Sequence, residues 1–352
     1  KLSGEVVFKL YDTYGFPFEL TQEIALESGL EVSREEFDVE MNKQKERARN
    51  ARNTKDSFAT QNAELMNFTQ ESTFIGYDNM ECDGKIIALF KDGHMVDTLS
   101  DEGQVILDTT CFYAESGGQV ADAGTLSADG VMCKVTDVQK ARNKQHIHSV
   151  EIESGILEVG MSLHCHVDEA KRKATTANHS CTHLLQSALK KVVGEHIHQA
   201  GSYVCDEYLR FDFNHFEKLT TKQLDEIEDL VNQYIAGAYP VTKEIMDIEE
   251  DKKSGATALF NEKYGDRVRV VTMGDVSKEF CAGCHVENTS QIGLCKIISE
   301  ESIGSDARRI VAKTGYQAYK ECASEKNMLE NIAISAKQKG IKNIDTKVDA
   351  AY

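Results

Sequence analysis

The sequence lacks any apolar run of about 18 residues, the length that a helix needs to span the hydrocarbon core of a bilayer. It also lacks the pattern of a secretory signal peptide, in which a short basic segment precedes an apolar one. Both absences count against a membrane protein and against a secreted one. We therefore expect a cytoplasmic protein without a membrane partner.

Disulfide spacing is absent as well, although the 352-residue chain carries 10 cysteines. Their positions show none of the paired spacing of a disulfide framework, which favours a reducing compartment. Cys281 and Cys284 form the one Cys-x-x-Cys pair in the sequence. A zinc knuckle built from two such pairs is therefore disfavoured. Internal repeats are also absent.

The chain is poor in basic residues, with 40 Lys and Arg against 58 Asp and Glu and a net charge of −18. This balance counts against a nucleic-acid partner, because neutralising phosphates requires clustered positive charge. Local basic runs do occur, at 43–55, at 171–173 and at Arg308, Arg309 and Lys313. The ordinary explanation of each run is a solvated face. Charge alone does not indicate RNA.

The pattern along the chain predicts an α+β fold, with a helical N-terminal segment, a small antiparallel β-barrel and an α+β core. We place the helical segment and a linker at 1–70, the barrel at 71–167, the core at 168–315 and a C-terminal helix at 316–352. Pro17 and Gly29 bound one N-terminal helix. We expect the polar stretch 53–67 to be the linker.

Local signals refine this outline. A capping box at 33–36 predicts a charged helix that continues to about Arg52. An apolar stripe predicts a helix from Ala170 to Gly194, and Thr220 begins another that ends near Ile235. Three Asp-Gly pairs predict hairpin turns in the barrel: Asp83-Gly84, Asp92-Gly93 and Asp129-Gly130. Strands of the core are predicted at 209–213, 267–273, 294–299 and 308–313.

Two short motifs each offer a pair of metal ligands four residues apart. His179 and His183 lie on a predicted helix, where residues i and i+4 are roughly 6 Å apart and two imidazoles can converge on one ion. In the second motif, Ala282-Gly283 can turn tightly between Cys281 and His285. Zn²⁺ prefers four tetrahedral nitrogen and sulfur ligands. The two motifs together would supply such a set.

The spacing leaves alternatives open. A lone His-x₃-His also arises by chance, and Cys281 with Cys284 fits a redox pair or half of a structural zinc site. No Glu follows His179, so the helix is not that of an HExxH metalloprotease. Six further histidines are predicted to lie at the surface rather than bind the metal: His146, His148, His164, His166, His196 and His198.

The flanking residues extend the two motifs into a longer ordered pattern. It comprises Phe112–Gln119, Asn178–Leu185, His198–Ser202, Leu209–Phe213, Phe280–Val286 and Arg308–Arg309. This pattern resembles the editing domain of alanyl-tRNA synthetases, and Leu10–Leu20 resembles the end of that family's tRNA-recognition region. Threonyl-tRNA synthetases share the metal motifs but not the N-terminal helical run, so the alanyl family is favoured.

The resemblance implies an aminoacyl-ester hydrolase within an alanine–tRNA ligase, acting on seryl- or glycyl-tRNA(Ala) and binding the tRNA acceptor end. It implies one Zn²⁺ per chain, with the ligands His179, His183, Cys281 and His285. It also implies catalytic roles for Thr182 and Gln199 and substrate binding by Gly118 and Gln119. Gly117 and Gly118 have a simpler explanation too, as a turn that requires positive φ.

The resemblance also implies what this sequence does not contain. ATP and Mg²⁺ would serve only an aminoacylation module elsewhere in a longer chain, and oligomerisation would use a region beyond the C-terminal helix. Two positions depart from the usual pattern. The family usually has Cys-Gly-Gly-Thr-His where this chain has Ala282 and Cys284, and a small residue where it has Cys181. Cys284 is therefore an alternative ligand to Cys281, which matches the family position better.

The implied chemistry has a physical reason. A pocket for alanine cannot strongly reject serine, and the missing methyl of glycine is worth only about 1–3 kcal/mol. A second, hydrolytic site corrects such errors. Zinc could activate a water or orient the substrate, and four protein ligands favour the second role because they leave no open position. A non-catalytic tRNA-binding module with structural zinc and a free-standing editing protein remain as alternatives.

Overall fold

The computed structural model describes residues 2–14, 18–27, 29–41, 43, 63–247, 267–304, 306–335 and 341. The fold is mixed α+β, with a closed β-barrel followed by an α+β core. Among the helices in these ranges, none combines the length and the apolar character needed to cross a bilayer.

Three helices contribute to the N-terminal part: α1 (Gly4–Tyr14), α2 (Phe18–Glu27) and α3, of which residues 34–41 and 43 are described. They pack around the buried side chains of Val7, Phe18 and Phe37. The hydroxyl of Ser33 accepts a hydrogen bond from the backbone N–H of Glu36, as expected for the capping box. The rest of the predicted charged helix lies outside the described residues.

The predicted linker was partly wrong. Its last residues form helix α4 (Ala63–Asn67), and Leu65 of this helix is buried against Phe90 and Ile106. The stretch is mostly polar, but the side chain of Leu65 is apolar and packs against the outside of the barrel. The earlier part of the stretch, 53–62, lies outside the described residues.

Six strands close the barrel, in the order β11 (Ser162–Val167), β7 (Gly124–Ala128), β8 (Val131–Lys140), β9 (His146–Ser154), β5 (Glu102–Leu107) and β2 (Glu81–Lys91), and β2 pairs back to β11. Neighbouring strands in the barrel are antiparallel. The interior is filled by inward apolar side chains such as Leu126, Val135 and Leu163. The shorter strands of this part, outside the closed order, are β1 (Thr73–Phe74), β3 (His94–Val96), β4 (Thr98–Leu99), β6 (Thr109–Thr110) and β10 (Leu157–Glu158).

Two of the three Asp-Gly turns are confirmed. Asp92-Gly93 joins β2 to β3, and Gly130 lies between β7 and β8 with φ of +72°. The turn at Asp83-Gly84 was wrong, because both residues lie inside β2. A Cβ on Gly84 would come within 2.3 Å of the Thr109 carbonyl oxygen, so this glycine permits close backbone approach rather than a turn.

The prediction that six histidines lie at the surface is confirmed for four of them and wrong for two. His164, His166, His196 and His198 are exposed or half-exposed, and the first two lie beside Asp83 and Glu81. His146 and His148 are buried. Residues two apart on a strand share a face, and this face of β9 is covered. Burial lowers the pKa of His146 to about 3 and that of His148 to about 4, so both are neutral.

The described residues of the α+β core form two sheets. In one the strand order is β12 (Gln199–Val204), β13 (Leu209–Asn214), β18 (Ala307–Thr314) and β17 (Cys295–Ser302), and in the other it is β14 (Val241–Asp247), β15 (Arg267–Met273) and β16 (Ser277–Phe280). Its longest helix, α5 (Glu169–Val193), begins after the N-cap Asp168 and ends before Gly194, as predicted. The predicted capping box at Thr220 is also confirmed. The other helices of this part are α6 (Thr221–Ala236), a 3₁₀ helix (Thr289–Ile292) and α7 (Gly315–Ser335).

A buried arginine joins the core to the barrel. Arg172, on the first turn of α5, is 2% exposed and makes a two-pronged ion pair with Asp122. Its guanidinium also donates to the carbonyl oxygens of Gly76 and Cys111. The solvated face expected for the run at 171–173 therefore does not include Arg172.

Candidate metal centre

Helix α5 carries the first pair of predicted ligands. His179 and His183 lie one turn apart, with ring centroids separated by 5.6 Å. Both are buried, because the helix packs against the core through Cys181, Leu184 and Leu185. The apolar stripe that predicted the helix thus also turns its two imidazoles inward.

The second pair lies on the loop that follows β16. Arg269, on the neighbouring strand β15, donates to the carbonyl oxygens of Cys281 and Gly283 at 2.9 and 2.8 Å. The hydroxyl of Tyr77 donates to the Ala282 carbonyl, and the Arg269 guanidinium lies over the Tyr77 ring. These contacts fix the loop from both sides, so Cys281 and His285 are held in place.

The two pairs meet. The ligand atoms of His179, His183, Cys281 and His285 all lie within 4.8 Å of one another. Cys281 Sγ is 3.4 Å from His179 Nε2 and 3.2 Å from His285 Nε2. Ligand atoms around a tetrahedral zinc ion are about 3.3–3.6 Å apart, given the usual bond lengths. The cluster therefore has the donor set and the size to hold a metal ion.

Two of the three imidazoles have a hydrogen-bond partner for Nδ1, and the Nδ1 atom of the third, His183, lies near a carboxylate without a hydrogen bond to it. His179 Nδ1 lies 2.7 Å from Gln119 Oε1, His183 Nδ1 lies 3.1 Å from Glu279 Oε2, and His285 Nδ1 lies 3.1 Å from Ser180 Oγ. Metal-binding histidines in proteins are oriented in this way, through the nitrogen that does not bind the metal. The arrangement leaves the three Nε2 atoms for an ion.

The electrostatics favour a neutral imidazole at two positions of the cluster, His179 and His285. Burial lowers the pKa of His179 well below 6.5, and His183 and Arg269 lower it further. Burial also lowers the pKa of His285, with smaller contributions from His179 and His183. A histidine must be unprotonated to bind a metal ion, so His179 and His285 are in the binding form at neutral pH.

Comparison with known proteins extends this picture. Residues 1–171 match the family model for class II (A) tRNA synthetases, and residues 268–311 match that for the second additional domain of threonyl and alanyl tRNA synthetases. The alanine–tRNA ligase of Bacillus subtilis is 48% identical over 352 residues, which is 99% of this chain and 40% of that protein. The ligase of Geobacillus kaustophilus is 46% identical over 353 residues, with 100% of this chain and 40% of the relative covered.

The chain belongs to the alanyl-tRNA synthetase family. It spans about two fifths of the length of the curated relatives that it matches. The matched additional-domain region contains Cys281 and His285, the second pair of the cluster.

The structure distinguishes between the two candidate thiols of this chain. Cys281 is the cysteine of the cluster. Cys284 is buried, its backbone N–H donates to Gln119 Oε1, and burial raises the pKa of its thiol, which keeps that thiol protonated. The geometry therefore favours Cys281 as the ligand.

This distinction is testable with two matched substitutions. Cys281→Ala removes a ligand and is expected to lower zinc affinity at least about tenfold, whereas Cys284→Ala should change it by less than about threefold. Competition with a chromophoric chelator measures both affinities. Equal losses in the two variants would show that the cluster does not use Cys281 alone.

The remaining predicted site residues have different surroundings. Gln119 contacts it directly, whereas Gly118, with φ of +82°, docks on β12 by accepting a hydrogen bond from Val204 N–H. Thr182 is buried, and its hydroxyl donates to the Asn178 carbonyl at 2.9 Å. Gln199 is the half-buried first residue of β12. Gly118 and Gln119 thus lie beside the strand that Gln199 begins.

Sequence reasoning missed Ser180 and Glu279. Ser180 lies beside His179 on α5 and bonds both His285 Nδ1 and Val286 N–H. Glu279 is 5% exposed on β16, two residues before Cys281. Its role could have been suspected from the sequence, because Glu279 is an acidic residue in a short strand that ends just before the predicted ligand Cys281. Its partner, His183, cannot be read from the sequence.

Proposed function

We propose that this chain hydrolyses the ester bond of seryl- and glycyl-tRNA(Ala), as the editing part of an alanine–tRNA ligase. The observation that supports the proposal most is the buried cluster of His179, His183, Cys281 and His285, in which the Nδ1 atoms of His179 and His285 have hydrogen-bond partners. It lies in a chain whose relatives are named alanine–tRNA ligases. Such enzymes must correct errors that one pocket cannot avoid.

The donor set fits zinc better than a hard cation. Three imidazole nitrogens and one thiolate are ligands that Zn²⁺ prefers, whereas Mg²⁺ and Ca²⁺ prefer oxygen. We propose that His179, His183, Cys281 and His285 hold one Zn²⁺. When bound, the ion would supply a positive charge that orients and polarises a polar group of the substrate.

Thr182 suits recognition of the serine side chain. Its hydroxyl proton is used in the bond to the Asn178 carbonyl, so the oxygen has free lone pairs for a second partner. A seryl hydroxyl could donate to it, and an alanyl methyl could not. Gln199, half-buried at the start of β12, offers both a donor and an acceptor to the substrate or to a water. We propose that these two residues recognise and position the ester.

One observation favours a second function, a tRNA-binding module in which the metal only stabilises the fold. Four protein ligands complete a tetrahedron, and structural zinc sites are closed in this way. All four ligands are buried here. Under this alternative, changes at Thr182 and Gln199 leave tRNA binding and zinc content as they are.

The deciding experiment compares hydrolysis of seryl-tRNA(Ala) with that of alanyl-tRNA(Ala), with zinc content measured on the same protein. We expect the seryl ester to be lost faster. Gln199→Ala and Thr182→Val should each slow that loss about tenfold without release of zinc, since each removes one polar contact. Full zinc content with equal, uncatalysed loss of both esters would favour the structural alternative.

A further inference from the structure

The side chain of Gln119 is completely buried beside the metal cluster. Two nitrogen atoms converge on its Oε1 atom, namely His179 Nδ1 at 2.7 Å and the backbone nitrogen of Cys284 at 2.9 Å. A backbone N–H can only donate, so the side-chain atom that faces it must be the carbonyl oxygen. The orientation of the Gln119 amide follows from this contact.

The same contact determines the state of His179. Because Gln119 presents an oxygen, His179 Nδ1 must carry the hydrogen and donate it. The neutral ring then has its lone pair on Nε2, the atom that lies 3.4 Å from Cys281 Sγ. Gln119 therefore selects the tautomer that can bind a metal ion through Nε2.

The other half of the amide lacks a strong acceptor. Gln119 Nε2 is buried and has no oxygen or nitrogen acceptor among the described residues, and the thiol of Cys284, which the Gln119 side chain also contacts, accepts hydrogen bonds only weakly. Leaving a buried donor unsatisfied costs about 1–3 kcal/mol, so such a group calls for an acceptor. The nitrogen shares a carbon with Oε1, which places it beside the ring of His179. It can donate two N–H bonds at the edge of the cluster.

We propose that Gln119 serves the site with both ends of its amide. The carbonyl oxygen orients His179 toward the metal ion, and the amide N–H donates to the carbonyl oxygen of the aminoacyl ester. The second role rests on the proposed function. In that reaction water adds to the carbonyl carbon, the bond to the ribose oxygen breaks, and the amino acid and a free hydroxyl are released. Negative charge develops on the carbonyl oxygen as water adds, and the N–H stabilises it there.

Two substitutions separate the two roles. Gln119→Glu keeps an oxygen for His179 and Cys284 but replaces the donating nitrogen by a second oxygen. We expect zinc to bind at least as tightly as in the wild type, with ester hydrolysis reduced about a hundredfold. Gln119→Met removes both groups, and we expect zinc affinity to fall about ten- to a hundredfold together with hydrolysis. Gln70→Glu adds the same charge at an exposed position and should change neither value.

The readouts are the zinc dissociation constant, from competition with a chelator, and the rate of seryl-tRNA(Ala) hydrolysis. Wild-type zinc affinity in Gln119→Met would overturn the orienting role, and wild-type hydrolysis in Gln119→Glu would overturn the donor role. If the zinc-loaded wild-type protein hydrolyses no ester, the proposed function fails and the donor role fails with it. The zinc affinity of Gln119→Met still decides the orienting role in that case.

Discussion

Replacing Gly283 with alanine is expected to lower zinc affinity at least about a hundredfold. A Cβ at this position would lie 2.0 Å from Cε1 and 2.4 Å from Nδ1 of His179, and 2.9 Å from Gln119 Oε1. Neither side can yield easily, because Gln119 holds the imidazole and Arg269 holds the loop through the carbonyls of Cys281 and Gly283. The added methyl group therefore moves a ligand or breaks its support, and packed interiors do not absorb such an overlap.

The measurement is a zinc titration against a competing chelator, with circular dichroism to verify that the variant is folded. Ala282→Ser is the matched control, since it adds one atom to the adjacent, exposed residue and should leave zinc affinity within about threefold. Gly283 is not among the glycines with positive φ, so the expected effect is steric and not conformational. Wild-type affinity in Gly283→Ala would mean that His179 does not bind the metal in this position.

The pairing within each of the two motifs of the cluster could be predicted from the sequence because the spacing is local. A helix brings His179 and His183 together, and a tight turn does the same for Cys281 and His285. The groups that orient them could not be predicted. Gln119 reaches the cluster from the barrel, 60 residues before its partner His179, and that contact depends on how the barrel docks on the core.

For the fold, too, the features that depend on local sequence signals were predicted, and those that depend on packing were not. Helices α5 and α6 follow from an apolar stripe and from capping residues, and two hairpin turns of the barrel follow from Asp-Gly pairs. The error at Gly84 arose because the same dipeptide also occurs within strands, where a neighbouring backbone leaves no room for a side chain. Burial of His146 and His148 was missed for a related reason, since strand periodicity does not tell which face is covered.

Arg172 shows the limit of reasoning from charge. It stands between two lysines, and the run 171–173 looks like one basic surface. On α5, however, Arg172 turns toward the barrel and is 2% exposed, whereas Lys173 is exposed and pairs with Glu169 one turn earlier. Whether a residue in such a run meets solvent or protein depends on what packs against the helix. The consequence for stability is large.

Replacing Arg172 with methionine is expected to lower the free energy of unfolding by about 3–5 kcal/mol. The substitution removes the guanidinium that pairs with Asp122 and leaves that carboxylate buried without its charge partner. It also removes the donors to the carbonyl oxygens of Gly76 and Cys111. Urea unfolding followed by far-ultraviolet circular dichroism, at a fixed zinc concentration, measures the change.

Two further variants identify the cause. Lys173→Met, in the same basic run, breaks one exposed ion pair and should cost less than about 1 kcal/mol. Adding Asp122→Asn to Arg172→Met removes the unpaired charge but keeps an oxygen for the N–H of Tyr113, so it should recover part of the loss. If Arg172→Met and Lys173→Met cost the same, Arg172 does not join the barrel to the core. The metal cluster would then depend on the loop contacts of Tyr77 and Gln119 to bring the two parts together.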